Sequence, residues 1–195
     1  MVALRKPSPP GRMTVEEFLD WAEAQDGFWQ LRDGRPELMN PPAVPHGEIQ
    51  GELAGLIRDH LRARRSPCRV VVTPGVIPRI RSDRNMLVPD LAVTCRPPSA
   101  DRALFEPVLL IEIVSPSNER QTWANVWAFT TIPSVREILA ISSLRIGTEL
   151  LRRRPDGSWP ERPEALGPED TLALESIGFA APLAAAYATT HLARD

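Results

Sequence analysis

The sequence predicts one α/β domain, a mixed β-sheet flanked by helices, and three observations predict it. Short apolar runs rich in β-branched residues, VPDLAVTC (88–95) and LLIEIVSPSN (109–118) among them, have the length and clustering of buried strands. The segment 46–65 instead carries Ile49, Leu53, Leu56, Ile57 and Leu61 at helical spacing. At 195 residues, with no internal repeat and no second boundary, the chain has the length of one domain with its own core.

Taken in order, residues 1–12 (MVALRKPSPPGR) are Pro-rich and read as a flexible tail, leaving 13–195 as the domain. Thr14 and Glu17 form a capping-box pattern ahead of a helix of about three turns, with Val15, Phe18, Leu19 and Ala22 on one face. In FWQLRDGRPELM (28–39) two extended pieces flank Asp33-Gly34, a dipeptide that accepts the positive φ angles of a tight hairpin. The breaker NPPAVP precedes the long helix, and CRVVVTPGVIPRIR (68–81) reads as a hairpin around Pro74-Gly75. The two acid-bearing runs follow as central strands. Residues 119–130 read as a helix, and IPSVREILAIS starts a strand after the Ile132-Pro133 break. A hairpin through Ser142-Ser143 leads into RIGTELLRR, Pro155-Asp156-Gly157 makes a turn, and the Ala-rich stretch 182–192 reads as a C-terminal helix.

A formal charge of -2 and a pI near 6.0 argue against a broad cationic surface, so any nucleic-acid contact is local. Arg62, Arg64 and Arg65 make the best local basic patch, although a solvated helix C-terminus explains them equally well. Of 23 basic residues only Lys6 is a lysine, so no ammonium group lies beyond the tail. Cys68 and Cys95 form no C-x-x-C pair and read as buried small hydrophobes in a reducing cytoplasm. No signal-peptide core is present, and no run approaches the ~18 apolar residues of a membrane span. A soluble, cytoplasmic protein is expected.

Asp90 and Glu112 stand where hydrophobes would be expected inside the two acid-bearing runs. Two carboxylates on neighbouring strands repel each other and are costly to bury without a cation between them. Mg²⁺ or Mn²⁺ supplies one with hard-oxygen preference, completing its shell with water and phosphate, an arrangement suited to phosphodiester hydrolysis. The alternative stays open at this point: Asp90 exposed at a strand start, and Glu112 paired with one of the arginines. Trp123 and Trp127, four residues apart, share a helix face with Phe129 nearby, where packing onto the sheet is expected over base stacking.

The order WQLRDG, MNPPAVPHGEIQ, VPDLAV, LLIEIVSPSN and IPSVREIL resembles the Uma2 (DUF820) family, a branch of the PD-(D/E)XK nuclease superfamily, most strongly over residues 14–145. The resemblance implies a restriction-endonuclease-like core that cuts DNA with a divalent metal, and a homodimer. It assigns Asp90 and Glu112 as metal ligands, with the Ile113 carbonyl as a third oxygen, and places His46 towards the pocket or a phosphate. Five residues, in three places, depart from the family pattern. Gln30 replaces an acid, Val114 stands where the superfamily has lysine, and Thr122, Val126 and Thr130 occupy the family's acid-lysine-tyrosine positions on the next helix. Arg120 and Gln121 are the nearest polar substitutes, as substrate contact and catalytic group. Arginine can offset charge but stays protonated, so it cannot serve as a base. Two functions follow as expectations: a metal-dependent endonuclease with a depleted site, or a nuclease-fold module that binds DNA or protein without cutting.

Overall fold

Capping and turn chemistry set the first elements of the computed structural model, which describes residues 11–116 and 118–193. Helix α1 (Val15–Glu23) opens on the predicted capping box: the Thr14 hydroxyl accepts from the Glu17 N–H, and the Glu17 carboxylate accepts from the Thr14 N–H. It buries Phe18 beside Met13, Leu31 and Met86. Strands β1 (Trp29–Arg32) and β2 (Arg35–Leu38) close through Asp33 and Gly34, whose φ angles of 50° and 78° are the two positive values a tight two-residue hairpin needs. Residues 1–10, most of the expected tail, lie outside the described residues.

Helix α2 (Val44–Ala63) begins two residues before the expected start, because a proline is tolerated in the first helical turn. Its stripe Ile49, Leu53, Ile57 and Leu61 is buried, as the spacing predicts. Strands β3 (Arg69–Val72), β4 (Leu91–Thr94), β5 (Pro107–Val114), β6 (Glu137–Ser142), β7 (Thr148–Arg152) and β8 (Glu164–Leu166) form one sheet in that spatial order. Strands β5 and β6 pair in parallel across the crossover helix α3 (Glu119–Phe129), and the other neighbours are antiparallel.

Period-two alternation divides the core between the faces of this mixed sheet. Leu91, Val93, Leu109, Ile111, Ile113, Leu139 and Ile141 pack with the α2 stripe, while Ala92, Leu110 and Ile138 pack with Val126 and Phe129 of α3. Beyond the sheet, β9 (Thr171–Leu174) and β10 (Phe179–Pro182) form a hairpin that adds Leu172, Leu174 and Phe179 to the α2 side. A short 3₁₀ helix, Leu183–Tyr187, seats Tyr187 fully buried. The Tyr187 hydroxyl lies 2.8 Å from the Ser142 carbonyl and 3.0 Å from the Gly147 carbonyl, and accepts the Gly147 N–H at 3.2 Å. Burial pushes its pKa up to about 12, so it remains a donor under all ordinary conditions. Tyr187→Phe should cost about 1–2 kcal/mol by urea unfolding, because these backbone groups lose their partner in a dry site. An unchanged midpoint would contradict that.

Four expectations are corrected. Residues 68–81 do not form a hairpin: β3 pairs with β4 instead, because Pro74 and Pro78 lack ladder donors and Thr73 turns the chain at φ 47°. The C-terminal Ala-rich helix reduces to the single 3₁₀ helix and turns, since so short a segment has little helical stability of its own. Cys68 and Cys95 are half-buried and disulfide-bonded, not separate buried hydrophobes. The β3–β4 register runs from Arg69 opposite Thr94, so the cysteines are the next facing pair. Trp127 is 46% exposed, while Trp123 and Phe129 join the core as expected. Among the described residues no helix is long and apolar enough to cross a membrane.

Candidate functional site

Strand register brings the two predicted acids together. Leu91 faces Ile111 and Ala92 faces Leu110 in the antiparallel β4–β5 pair, so one step further Asp90 faces Glu112. Directly opposed residues point to the same side of a sheet with Cβ atoms about 5 Å apart. Asp90 stands just before the first residue of β4, where its side chain takes over the ladder: Oδ2 accepts the Ile113 N–H at 2.6 Å. Its Oδ1 lies 2.8 Å from His46 Nε2. His46 and Gln50 are one turn apart on α2, so both reach the same residue, and Gln50 Nε2 donates to the Asp90 carbonyl at 2.8 Å.

Glu112 lies on the α3 face of β5, and α3 offers Asn125 at that level instead of a hydrophobe. Asn125 Nδ2 donates to Glu112 Oε1 at 3.0 Å, and Arg32 Nη2 of β1 donates to Asn125 Oδ1 at 2.7 Å. Burial, and secondarily the charge of Asp90, hold the Glu112 pKa well above the ordinary glutamate range; the Asn125 hydrogen bond and the Arg32 charge offset this in part. Neither acid is locked to a guanidinium, because Arg32 reaches Glu112 only through Asn125.

The β1–β2 hairpin supplies a third carboxylate that the sequence reading missed. Glu37 faces Gln30 across the hairpin. Its Oε2 accepts from Gln30 Nε2 at 3.2 Å, Arg32 Nε at 3.1 Å and Gln121 Nε2 at 3.1 Å. Glu37 thus puts a negative charge one strand over from Gln30. With the Gln30 amide nitrogen committed to Glu37, its buried Oε1 has no hydrogen-bond partner among the described residues.

Gln30, Glu37, His46, Asp90, Glu112, Gln121 and Asn125 line one cavity of about 790 Å³. Among the described residues its wall carries no arginine or lysine, and the exposed Phe28, Leu38 and Leu144 stand at it. Of the residues singled out beforehand, Asp90, Glu112, Gln30, His46 and Gln121 converge here. Arg120 does not: it lines an adjacent shallow hollow with Arg32 and Asn118, because it sits on the exposed side of α3. Ile113 meets the site through its N–H to Asp90. Among the described residues no cluster of three or more His, Cys, Asp or Glu forms a ready metal cage. Arg32, Glu37, Gln50 and Asn125 were missed because each is an ordinary polar residue until the hairpin, α2 and α3 are packed. The alternating cross-hairpin position of Glu37 was the one signal available.

The Uma2 family model, described as "Putative restriction endonuclease", matches residues 15–185. The uncharacterized protein slr1290 of Synechocystis is 27% identical over 162 residues, covering 82% of this chain and 84% of that protein. A crystal structure from Anabaena variabilis, described as a putative nuclease belonging to DUF820, superposes with a TM-score of 0.67 at 16% identity, covering 92% of this chain and 98% of that one. That likeness establishes a shared fold.

Proposed function

Because the chain belongs to the Uma2 family of restriction-endonuclease-like proteins, we propose that its cavity hydrolyses DNA phosphodiester bonds with Mg²⁺ or Mn²⁺. The observation that carries this reading is the facing pair Asp90 and Glu112 at one cavity wall. The donor set fits a hard divalent cation: two carboxylates, and the unpartnered Gln30 Oε1. Asp90 and Glu112, with the Ile113 carbonyl, would hold the ion, which supplies a water of lowered pKa and charge neutralisation at the phosphate.

The chain's own groups then orient. His46 and the Ile113 N–H fix the Asp90 carboxylate, and Asn125 fixes that of Glu112. Glu37 gathers Gln30, Arg32 and Gln121, holding two amides at the cavity where a water or phosphate oxygen would sit. Among the described residues no lysine lines the cavity, so turnover should be slow, a missing acid/base group costing about 10²- to 10⁴-fold. Arg120 would contact substrate from its adjoining hollow. Glu37→Gln should lower Mn²⁺ affinity or nicking roughly 10- to 100-fold, as loss of a supporting hydrogen-bond partner does. Isothermal titration with Mn²⁺ checks this, and unaltered affinity and rate would remove Glu37 from the site.

A second reading, a module that binds without cutting, is favoured by the absence, among the described residues, of any guanidinium or ammonium group on the cavity wall. Supercoiled plasmid incubated with Mn²⁺ at high protein concentration separates the two: nicking supports hydrolysis, and DNA binding without product supports the module. The homodimer implied by duplex cleavage is checked by light scattering.

A further inference from the structure

The far end of the sheet carries a feature that cleavage does not use. Arg96 follows β4, Arg136 precedes β6, and Arg153 and Arg154 follow β7. Together they line a second open hollow of about 640 Å³ whose lining includes one acid, Glu106, with Asp156 beside it between Pro155 and Gly157. In a chain of formal charge -2 these arginines are a local concentration of positive charge that would draw an anionic partner. From Pro107 at this end to Glu112 at the other, β5 advances five residues, about 17 Å, so the hollow is separate from the cavity.

The guanidinium of Arg153 is held by neutral groups that leave its charge uncompensated. Its Nε donates to the Gly157 carbonyl at 2.9 Å and its Nη1 to the Pro133 carbonyl at 2.7 Å, over the Trp159 ring. Arg136 is exposed and has no carboxylate partner among the described residues; Arg154 reaches the Ser158 hydroxyl, and its charge acts on the exposed Asp156 carboxylate without forming an ion pair with it. Arg96 spans 3.8 Å to Glu106 and lies over Phe105, an aromatic ring that is itself 45% exposed. Guanidinium forks match phosphate and carboxylate alike, but interleaving with an exposed aromatic favours a ligand with phosphates and π-faces.

We propose that this hollow binds the phosphate backbone of an unpaired nucleic-acid strand, with Arg136, Arg153 and Arg154 on phosphates and Phe105, outside the lining but beneath Arg96, against a base. The inference rests on this end of the sheet alone and stands whether or not the cavity cuts. The test is fluorescence anisotropy of labelled oligothymidine with the full chain, without divalent metal, across a salt series. Arg136→Gln/Arg154→Gln should weaken binding roughly tenfold near ~0.1 M salt and reduce the salt slope by about two, one per lost phosphate contact. Arg136→Gln alone, at an exposed side chain, should reduce the slope by about one without altering the melting temperature. An unchanged slope overturns the proposal, as does an equal loss from Arg62→Gln/Arg64→Gln on α2. Equal binding of polyglutamate overturns it in favour of an acidic peptide. Pyrophosphate that saturates the hollow while oligothymidine fails to compete overturns it in favour of a free phosphate compound.

Discussion

Asp90→Asn and Glu112→Gln should each reduce metal-dependent nicking by about 10³-fold or more, because a charge that holds the cation is lost while shape and a hydrogen-bond acceptor are kept. The amide replacements are more informative than alanine. Asparagine at 90 still offers an oxygen to the Ile113 N–H, and glutamine at 112 still accepts from Asn125, so both variants should fold. Alanine at 90 would also leave that N–H and His46 without a partner, mixing a folding defect with a chemical one. Mn²⁺ binding should fall in parallel with nicking. Asp90→Asn that keeps wild-type metal affinity and cleavage would refute the pairing of 90 with 112 as the centre of the reaction. Loss of nicking with intact Mn²⁺ affinity would assign the residue to the chemistry but not to the ion.

That pairing marks where the sequence stops being sufficient. The capping box at Thr14, the Asp33-Gly34 turn and the α2 stripe are local rules, each readable from a few neighbouring residues, and each forms as read. Asp90 and Glu112 are conspicuous in the sequence as acids within apolar runs, but their approach depends on β4 meeting β5 in one register. A shift of a single residue would send one of them to the other face. Glu37, Arg32 and Asn125 come from a hairpin and a helix far apart in the chain, and nothing in their own surroundings distinguishes them. The disulfide was illegible for the same reason. Cys68 and Cys95 face each other only because β3 pairs with β4, where the Pro74-Gly75 dipeptide suggested that it pairs with its own continuation. The Ala-rich end shows the opposite error: its residues favour a helix one by one, but a segment so short has little helical stability of its own, and the burial of Tyr187 against the β6–β7 turn decides its shape.

Glu112→Gln should also stabilise the metal-free protein near neutral pH, by roughly 2 kcal/mol or about 4–8 °C in melting temperature, through relief of a buried charge. The direction follows from proton binding. Burial and the facing Asp90 raise the native pKa of Glu112 above its ordinary value of 4.5, so between those two values the native state holds a proton that the unfolded chain has released. The stabilisation this gives is present in full below 4.5 and is lost as pH rises through the native value, after which wild type carries the cost of an ionised, desolvated carboxylate. Glutamine never ionises, so the gap between variant and wild type should be small at low pH and widen as pH climbs. Saturating Mn²⁺ should close the gap at neutral pH by stabilising wild type through binding to the native state, leaving the variant little changed. Differential scanning fluorimetry over a pH series, with and without Mn²⁺, reads both effects. A gap that does not vary with pH would mean that the stability change is one of packing and that Glu112 does not bear the raised proton affinity. A pH-dependent gap that Mn²⁺ fails to close would keep the buried charge but remove the cation from the pair.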